Sequence, residues 1–255
     1  MDKSSFEAEG DRLLALAREA GVVLRLLGAL AFAKRCPGHA HLQDRLGRKY
    51  TDIDFAAYGR DAATLQLILA REGYRQDPDV FMASGGNRLV ADHPGTGLHL
   101  DVFFDRLEFC HVVPWNGRLE TDPDTIPLAE MLLQKMQIVE INEKDLIDTM
   151  MLLLEHPLTE DDDGVNLALV ARVCAGDWGW WRTLTMNLDK VKQMALHYDQ
   201  LSNEEKARVT SKVGSVRHRI DAEPRSVGWR IRAKVGDRMK WYREVGELTP
   251  VAEET

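Results

Sequence analysis

The chain has 255 residues, 44% of them apolar and 29% charged, which is enough for one large domain or two small ones around a real core. This composition excludes a disordered tail and a small disulfide-held protein. The formal net charge is −8, and three cysteines without metal-ligand spacing favour an acidic, soluble, cytoplasmic protein. The most apolar N-terminal stretch, residues 22–33, is too short to cross a bilayer and does not predict a signal peptide or a membrane anchor.

The predicted elements of the first half alternate between helix and strand. In chain order they are a helix over 7–19, a strand over 22–27, a helix over 29–35, a polar loop over 38–49, a strand over 50–57, a helix over 62–72, and strands over 87–91 and 98–104. From residue 127 the pattern is helical, with helices predicted over 128–141, 143–155 and 165–175 and further helices toward the C-terminus. We therefore expect an α/β core of the α+β, mixed-sheet kind over residues 1–120, followed by an α-helical region over residues 121–255.

Charge is distributed unevenly along the chain. Residues 1–211 carry a local charge of −11, the segment 212–243 carries +7, and the C-terminal tail carries −4. The basic segment also contains Trp229, Trp241 and Tyr242, and such a mixture can hold phosphates and stack bases. One hypothesis is therefore a nucleic-acid surface over 212–243. The alternative is a solvated helical face whose arginines pair with the acidic body of the protein.

Three aspartates fall on predicted strands in a pattern that suits metal ions. Side chains alternate along a strand, so Asp52 and Asp54 project to one side while Ile53 projects to the other. Two acids held so close favour a cation between them, and Mg²⁺ prefers carboxylate oxygen. Asp101 lies within an otherwise apolar strand, where an unpaired charge is costly. The three acids predict a two-metal site, although the Asp52/Asp54 pair alone is more typical of a cap or a turn.

Two further features point to a phosphate ligand. Gly28 and Ala29 close a strand and open a helix, where free backbone N–H groups can receive a phosphate, although an ordinary tight turn has the same sequence. Lys135 lies in an apolar helical run, and a buried ammonium needs an anion such as a triphosphate unless its side chain reaches solvent. Asp145 and Asp148 share a face of the next helix. Asp148 is a candidate to orient Lys135 or to contact a nucleotide, and Asp145 suits the positive end of its helix.

Taken in order, these motifs resemble those of the nucleotidyltransferase superfamily, and within it the AbiEii-like group of type IV toxin–antitoxin systems. The resembling stretches are 26–31 (LLGALA), 51–55 (TDIDF), 100–104 (LDVFF), 126–135 (IPLAEMLLQK) and 144–148 (KDLID). They cover about residues 20–155, and the ordered set is far more specific than any one of its members.

The resemblance implies an enzyme that uses magnesium to transfer a nucleoside monophosphate from an NTP to an acceptor hydroxyl. It matches Asp52, Asp54 and Asp101 to the catalytic, metal-binding carboxylates, and it matches Gly28 to the phosphate turn. Lys135 matches a catalytic and nucleotide-binding lysine. Ala29 stands where the family commonly has Ser or Gly, which leaves only backbone amides for the phosphates at that position.

The resemblance leaves the acceptor and the partners open. The candidate acceptors are tRNA or other nucleic acid, a protein side chain and a small molecule of the antibiotic type, and an antitoxin protein is a candidate partner. A catalytically silent module that binds a nucleotide or a protein is the alternative from another functional class.

Overall fold

The computed structural model describes residues 3–44 and 50–244. The strands are β1 (Leu24–Leu26), β2 (Asp52–Ala57), β3 (Arg75–Gln76), β4 (Arg88–His93), β5 (Leu98–Phe104), β6 (Arg106–Glu108), β7 (Val112–Pro114), β8 (Leu158–Thr159) and β9 (Val165–Asn166). The helices are α1 (Lys3–Glu19), α2 (Gly28–Arg35), α3 (His41–Asp44), α4 (Ala62–Arg71), α5 (Pro78–Ala83), α6 (Leu128–Met136), α7 (Glu143–Glu155), α8 (Leu167–Gly176), α9 (Trp178–His197), α10 (Asn203–Ala222) and α11 (Val227–Val235).

A five-stranded mixed sheet has the order β1-β2-β5-β4-β3, and the pair β2/β5 at its centre is parallel while the other pairs are antiparallel. Alternation along β2 buries Ile53 and Phe55 and directs Asp52 and Asp54 to the other face. The fold is therefore an α+β fold around a mixed sheet, which confirms the predicted class.

The segment that follows the predicted boundary at residue 120 adds to the edge of this sheet. Thr125 forms a parallel bridge with Leu26 of β1, and the Ile126 N–H donates to the Leu26 carbonyl at 2.9 Å. The helices α8, α9 and α10 then pack on one another and on α7. The apolar core runs without a break from the sheet to these helices, so the two predicted regions share buried side chains.

Most predicted elements are present with small shifts of their ends. The predicted strand over 98–104 and the predicted helix over 143–155 coincide with β5 and α7. The predicted helix over 128–141 is too long, because α6 ends at Met136, where the buried Asn187 amide donates to the Met136 and Ile138 carbonyls at 3.1 and 2.8 Å. The predicted loop over 38–49 contains α3, and its last five residues lie outside the described ranges.

Within the described ranges, no helix combines the length and the apolar character that crossing a membrane requires.

Candidate functional site

The three predicted aspartates lie on one face of the two central strands. Asp54 of β2 and Asp101 of β5 are directly opposite each other in the parallel register, and Asp52 precedes Asp54 by two residues on the same face. Asp52 is exposed, Asp54 is half-buried and Asp101 is 5% exposed. The structure therefore brings Asp101 next to the Asp52/Asp54 pair, from which it is distant in the sequence.

Asp101 is held by Arg88 of the neighbouring strand β4. The Arg88 Nε donates to Asp101 Oδ1 at 2.8 Å and to Oδ2 at 3.0 Å, and its terminal nitrogen also binds Oδ2. Burial raises the pKa of Asp101, and the Arg88 guanidinium acts against that rise. The same guanidinium lies over the Phe103 ring, 5.4 Å from its centroid. Arg88 therefore fixes the orientation of the Asp101 carboxylate and compensates its charge.

Asp54 has no comparable partner. No described side chain donates a hydrogen bond or forms an ion pair with it, and its pKa is raised to about 8 by burial and then by the negative charges of Asp52 and Asp101. The positive charges of Lys135 and Arg88 oppose this rise. When it is ionised, the Asp54 carboxylate has no compensating ion-pair partner among the described side chains, and a bound cation would supply that compensation.

The predicted phosphate turn lies directly against Asp54. The Leu27 N–H donates to the Asp54 carbonyl at 3.0 Å, and Gly28 opens α2 with a φ of +66°. A Cβ on Gly28 would lie 2.0 Å from Asp54 Oδ2, so only glycine fits both the backbone conformation and the close contact. The Gly28 N–H points to Gln134 Oε1 at 3.4 Å, while Ala29 is half-buried at the helix start. The first-turn N–H groups of α2 therefore begin beside the carboxylates.

Lys135 has a protein counter-ion on each side. Its Nζ lies 2.7 Å from Asp145 Oδ1 and 3.0 Å from Asp148 Oδ2, and Lys135 is 6% exposed. The Gln43 amide donates to Asp148 Oδ1 at 2.7 Å. Lys135 Nζ also lies 5.3 Å from the centroid of the Phe32 ring on α2. The expected orientation of Lys135 by Asp148 is therefore present, and Asp145 shares that role.

A divalent cation suits two of the three carboxylates. Asp52 and Asp54 offer oxygens on one face of β2, and Asp54 has no competing donor among the described side chains. Asp101 has both oxygens on Arg88. In residues 3–44 and 50–244, no set of three or more His, Cys, Asp or Glu side chains is arranged to hold a metal ion. A metal-ligand role for Asp101 and a second metal therefore stay predictions.

The basic segment 212–243 is largely engaged inside the protein. Seven of its cationic side chains have acidic or carbonyl partners within the described ranges, namely Lys212, Arg217, Arg219, Arg225, Arg232, Lys240 and Arg243. Its indoles also face inward, since the Trp229 Nε1–H donates to the Cys174 carbonyl at 2.9 Å and the Trp241 Nε1–H to Thr183 Oγ1 at 3.0 Å. Most arginines of segment 212–243 therefore fit the second hypothesis, in which they pair with acids of the protein.

Sequence reasoning missed three residues that complete the site: Arg88, Gln43 and Gln134. A usable signal existed for Arg88, because a buried Asp101 in an apolar strand requires a cation from a neighbouring strand. None existed for Gln43, which lies in a segment predicted as loop, or for Gln134, whose side chain reaches Gly28 from more than a hundred residues away.

An open cavity of about 540 Å³ adjoins the site on the Arg88 side. Its lining includes Arg88, Phe103, Phe109, Arg106 and Asn87. Phe109 packs against Phe103 edge to face, with 5.7 Å between the ring centroids. The cavity therefore places two aromatic rings beside Arg88, the partner of Asp101.

No model of a known protein family matches the sequence, and no curated protein matches it. The geometry of the site is therefore the basis of the functional assignment.

Proposed function

We propose that this protein is a nucleotidyltransferase that moves a nucleoside monophosphate from an NTP to an acceptor hydroxyl. The observation that carries the proposal is the register of the two central strands, which sets Asp52, Asp54 and Asp101 on one face beside the positive-φ turn at Gly28. A close-set group of acids next to free helix N–H groups suits a ligand that combines divalent cations with phosphates.

Asp52 and Asp54 would hold Mg²⁺. When bound, the metal supplies positive charge against the phosphate oxygens and the acids. The environment of Asp54 supports this assignment, because burial and the neighbouring acids disfavour its ionised form unless a cation binds.

Asp101 would act as the base toward the acceptor. The acceptor hydroxyl gives its proton to the Asp101 carboxylate as its oxygen bonds to the α-phosphorus. The bond from that phosphorus to the bridging oxygen breaks, and pyrophosphate leaves with the electron pair. Arg88, through its contacts to both oxygens, would keep Asp101 in place during this transfer.

The nucleotide side of the site would be formed by α2 and α6. The Ala29 N–H at the start of α2 would face the phosphates, the Gly28 N–H would exchange Gln134 Oε1 for a phosphate oxygen, and Lys135 would supply positive charge close to them. Because Lys135 is already paired with Asp145 and Asp148, a phosphate would have to share the ammonium with these carboxylates.

A second candidate function is a catalytically silent nucleotide-binding module. It is favoured by the Arg88–Asp101 contact, which occupies both oxygens of the expected base, and by Ala29, which offers no hydroxyl to a phosphate. The acceptor classes stay as predicted: nucleic acid such as tRNA, a protein side chain or a small molecule of the antibiotic type. An antitoxin protein stays a candidate partner.

The test is transfer of label from each α-labelled NTP, with magnesium, into RNA, protein and small-molecule fractions of a cell extract. We expect label with the wild-type protein, and we expect none after addition of EDTA or with Asp52→Ala plus Asp54→Ala. The matched control is Asp163→Ala plus Asp189→Ala, which removes two exposed acids elsewhere and should leave transfer unchanged. Label that persists in the Asp52/Asp54 variant would contradict the proposal. Nucleotide binding without label in any fraction would support the silent module.

A further inference from the structure

Helix α11 presents an exposed face on which aliphatic and cationic side chains alternate. Val227, Ile231 and Val235 are 65%, 60% and 37% exposed. Their spacing of four residues places them in one ridge along the helix. Arg230 and Lys234 are exposed in the adjacent row. Such a combination of uncovered aliphatic surface and positive charge is unusual for a face with no partner.

The opposite face of α11 packs against the rest of the protein. Val227, Ile231 and Val235 are therefore exposed while the helix is in its packed position. The Trp229 indole donates to the Cys174 carbonyl at 2.9 Å, and Ser226 Oγ caps the helix by accepting from the Trp229 N–H at 3.0 Å. The Arg232 guanidinium lies 4.4 Å from the centroid of the Trp178 ring. These contacts fix which side of the helix faces solvent.

The cations on this face differ from the others of the basic segment. The side chains of Arg230, Lys234 and, in the turn after the helix, Arg238 form no hydrogen bond or ion pair with any residue of the described ranges, whereas their neighbours Arg232 and Lys240 bind the Gly236 carbonyl and the Glu244 carboxylate. Among residues 3–44 and 50–244, no acidic side chain pairs with these three cations. Their positive charge is therefore open to a ligand.

We propose that this face of α11, formed by residues 227, 230, 231, 234 and 235, together with Arg238 in the turn that follows the helix, binds an acidic amphipathic helix of a partner protein. A single aliphatic ridge packs into the groove between the side-chain rows of a second helix. Glu or Asp beside the apolar stripe of that helix would pair with Arg230, Lys234 and Arg238. This inference is independent of the proposed transferase activity.

Charge and composition favour a protein helix over the other polyanions. A nucleic acid would use aromatic side chains for stacking, but Trp229 and Trp241 are turned into the protein. An extended polyanion such as RNA or an anionic membrane would also face the charge of −11 that residues 1–211 carry. In a symmetric pair of copies through this face, the same cations would meet each other.

The test uses the full chain and a defined fluorescent peptide of about 18 residues, long enough to form a helix, with leucine at helical spacing and glutamate on both sides of that stripe. A scrambled peptide of equal composition is its control. We expect the striped peptide to bind at least about tenfold more tightly, and Ile231→Ser to weaken it by about tenfold. Replacing Arg230, Lys234 and Arg238 together by Gln should weaken binding at low salt and abolish its salt dependence.

The matched control variant is Leu67→Ser, which removes an equally exposed aliphatic side chain, 61% exposed, from α4. It should leave peptide binding unchanged, and circular dichroism should show that all variants are folded. Equal binding of the striped and scrambled peptides, or no binding of either, would overturn the proposal. Tighter binding of oligouridylate or of phosphatidylserine vesicles, insensitive to Ile231→Ser, would also overturn it and would assign the face to that polyanion.

Discussion

Two groups of charged side chains lie side by side in this protein, and they differ in how far protein cations pair with their carboxylates. Around Lys135, one ammonium lies between Asp145 and Asp148, and Gln43 binds the more deeply buried carboxylate. On the sheet, three aspartates have Arg88 as their one direct cationic partner among the described residues. In the first group, here called the balanced group, every charge has a partner within the protein. In the second, the unbalanced group, ionising Asp54 costs stability because no side chain of the described ranges pairs with it, as expected where a sheet is built for a ligand.

The largest expected effect comes from breaking the balanced group. Lys135→Met leaves two buried carboxylates without their cation, and we expect the free energy of unfolding to fall by about 3–5 kcal/mol in urea titrations at neutral pH. Lys144→Met, which removes an exposed ammonium from the same part of the chain, should change it by no more than about 0.5 kcal/mol. A loss below about 1 kcal/mol for Lys135→Met would show that the ion group contributes little to the fold.

Neutralising Asp54 of the unbalanced group should raise the free energy of unfolding instead of lowering it. The pKa of Asp54 is raised to about 8 from the ordinary value of 3.8, so the folded chain binds this proton more tightly than the unfolded chain. The stability that the bound proton gives the folded state is fully present below about pH 4 and is lost as the pH rises toward 8. Asp54→Asn should therefore stabilise the protein by about 2–4 kcal/mol near pH 8 and by nothing near pH 4, as measured by urea unfolding across that range.

Asp79→Asn supplies the control for this experiment. Asp79 is exposed on α5, and its replacement should change stability little at any pH. A destabilised Asp54→Asn variant at pH 8 would mean that the Asp54 carboxylate has a cationic partner in solution.

The smallest expected effect tests the contact between the glycine turn and the acid. Gly28→Ala places a Cβ 2.0 Å from Asp54 Oδ2 at a φ of +66°, so we expect a loss of about 1–3 kcal/mol in thermal or urea unfolding. In an Asp54→Ala background the clash is gone, and the same change should cost less. Gly214→Ala, in open space on α10, should instead stabilise by about 0.5–1 kcal/mol. If Gly28→Ala lowers the free energy of unfolding equally in both backgrounds, the clash with Asp54 is not the cause of the loss.

The sequence predicted the elements with strong periodicity and the residues with unambiguous chemistry. β5 and α7 have their predicted ends, and the alternation that places Asp52 and Asp54 on one face holds along β2. These features depend on residues close together in the chain. The same local reasoning extended α6 to residue 141, because the Asn187 side chain that donates to the carbonyls of Met136 and Ile138 comes from a distant helix.

Contacts between distant segments limited what could be predicted of the site. The pairing of Asp101 with Arg88 depends on the register of two antiparallel strands, and the hydrogen bond between Gly28 and Gln134 depends on how α6 packs on α2. A lysine in an apolar run indicates a need for an anion, but it does not say whether a ligand or the protein supplies it. For Lys135 the protein supplies two carboxylates.

The parallel pairing of β2 with β5 also constrains the order in which the molecule can assemble. Parallel neighbours cannot be joined by a tight turn. The elements α4, α5, β3 and β4 lie between β2 and β5 in the chain, so they are synthesised before β5. Asp54 and Asp101 therefore meet through a long-range contact of the slow-forming kind. During synthesis, a nascent chain that ends at Gly97 has Asp52 and Asp54 but lacks the strand that completes their face. The cluster of three carboxylates thus forms only when β5 pairs with β2 at the centre of the sheet. An incomplete chain therefore does not contain this cluster.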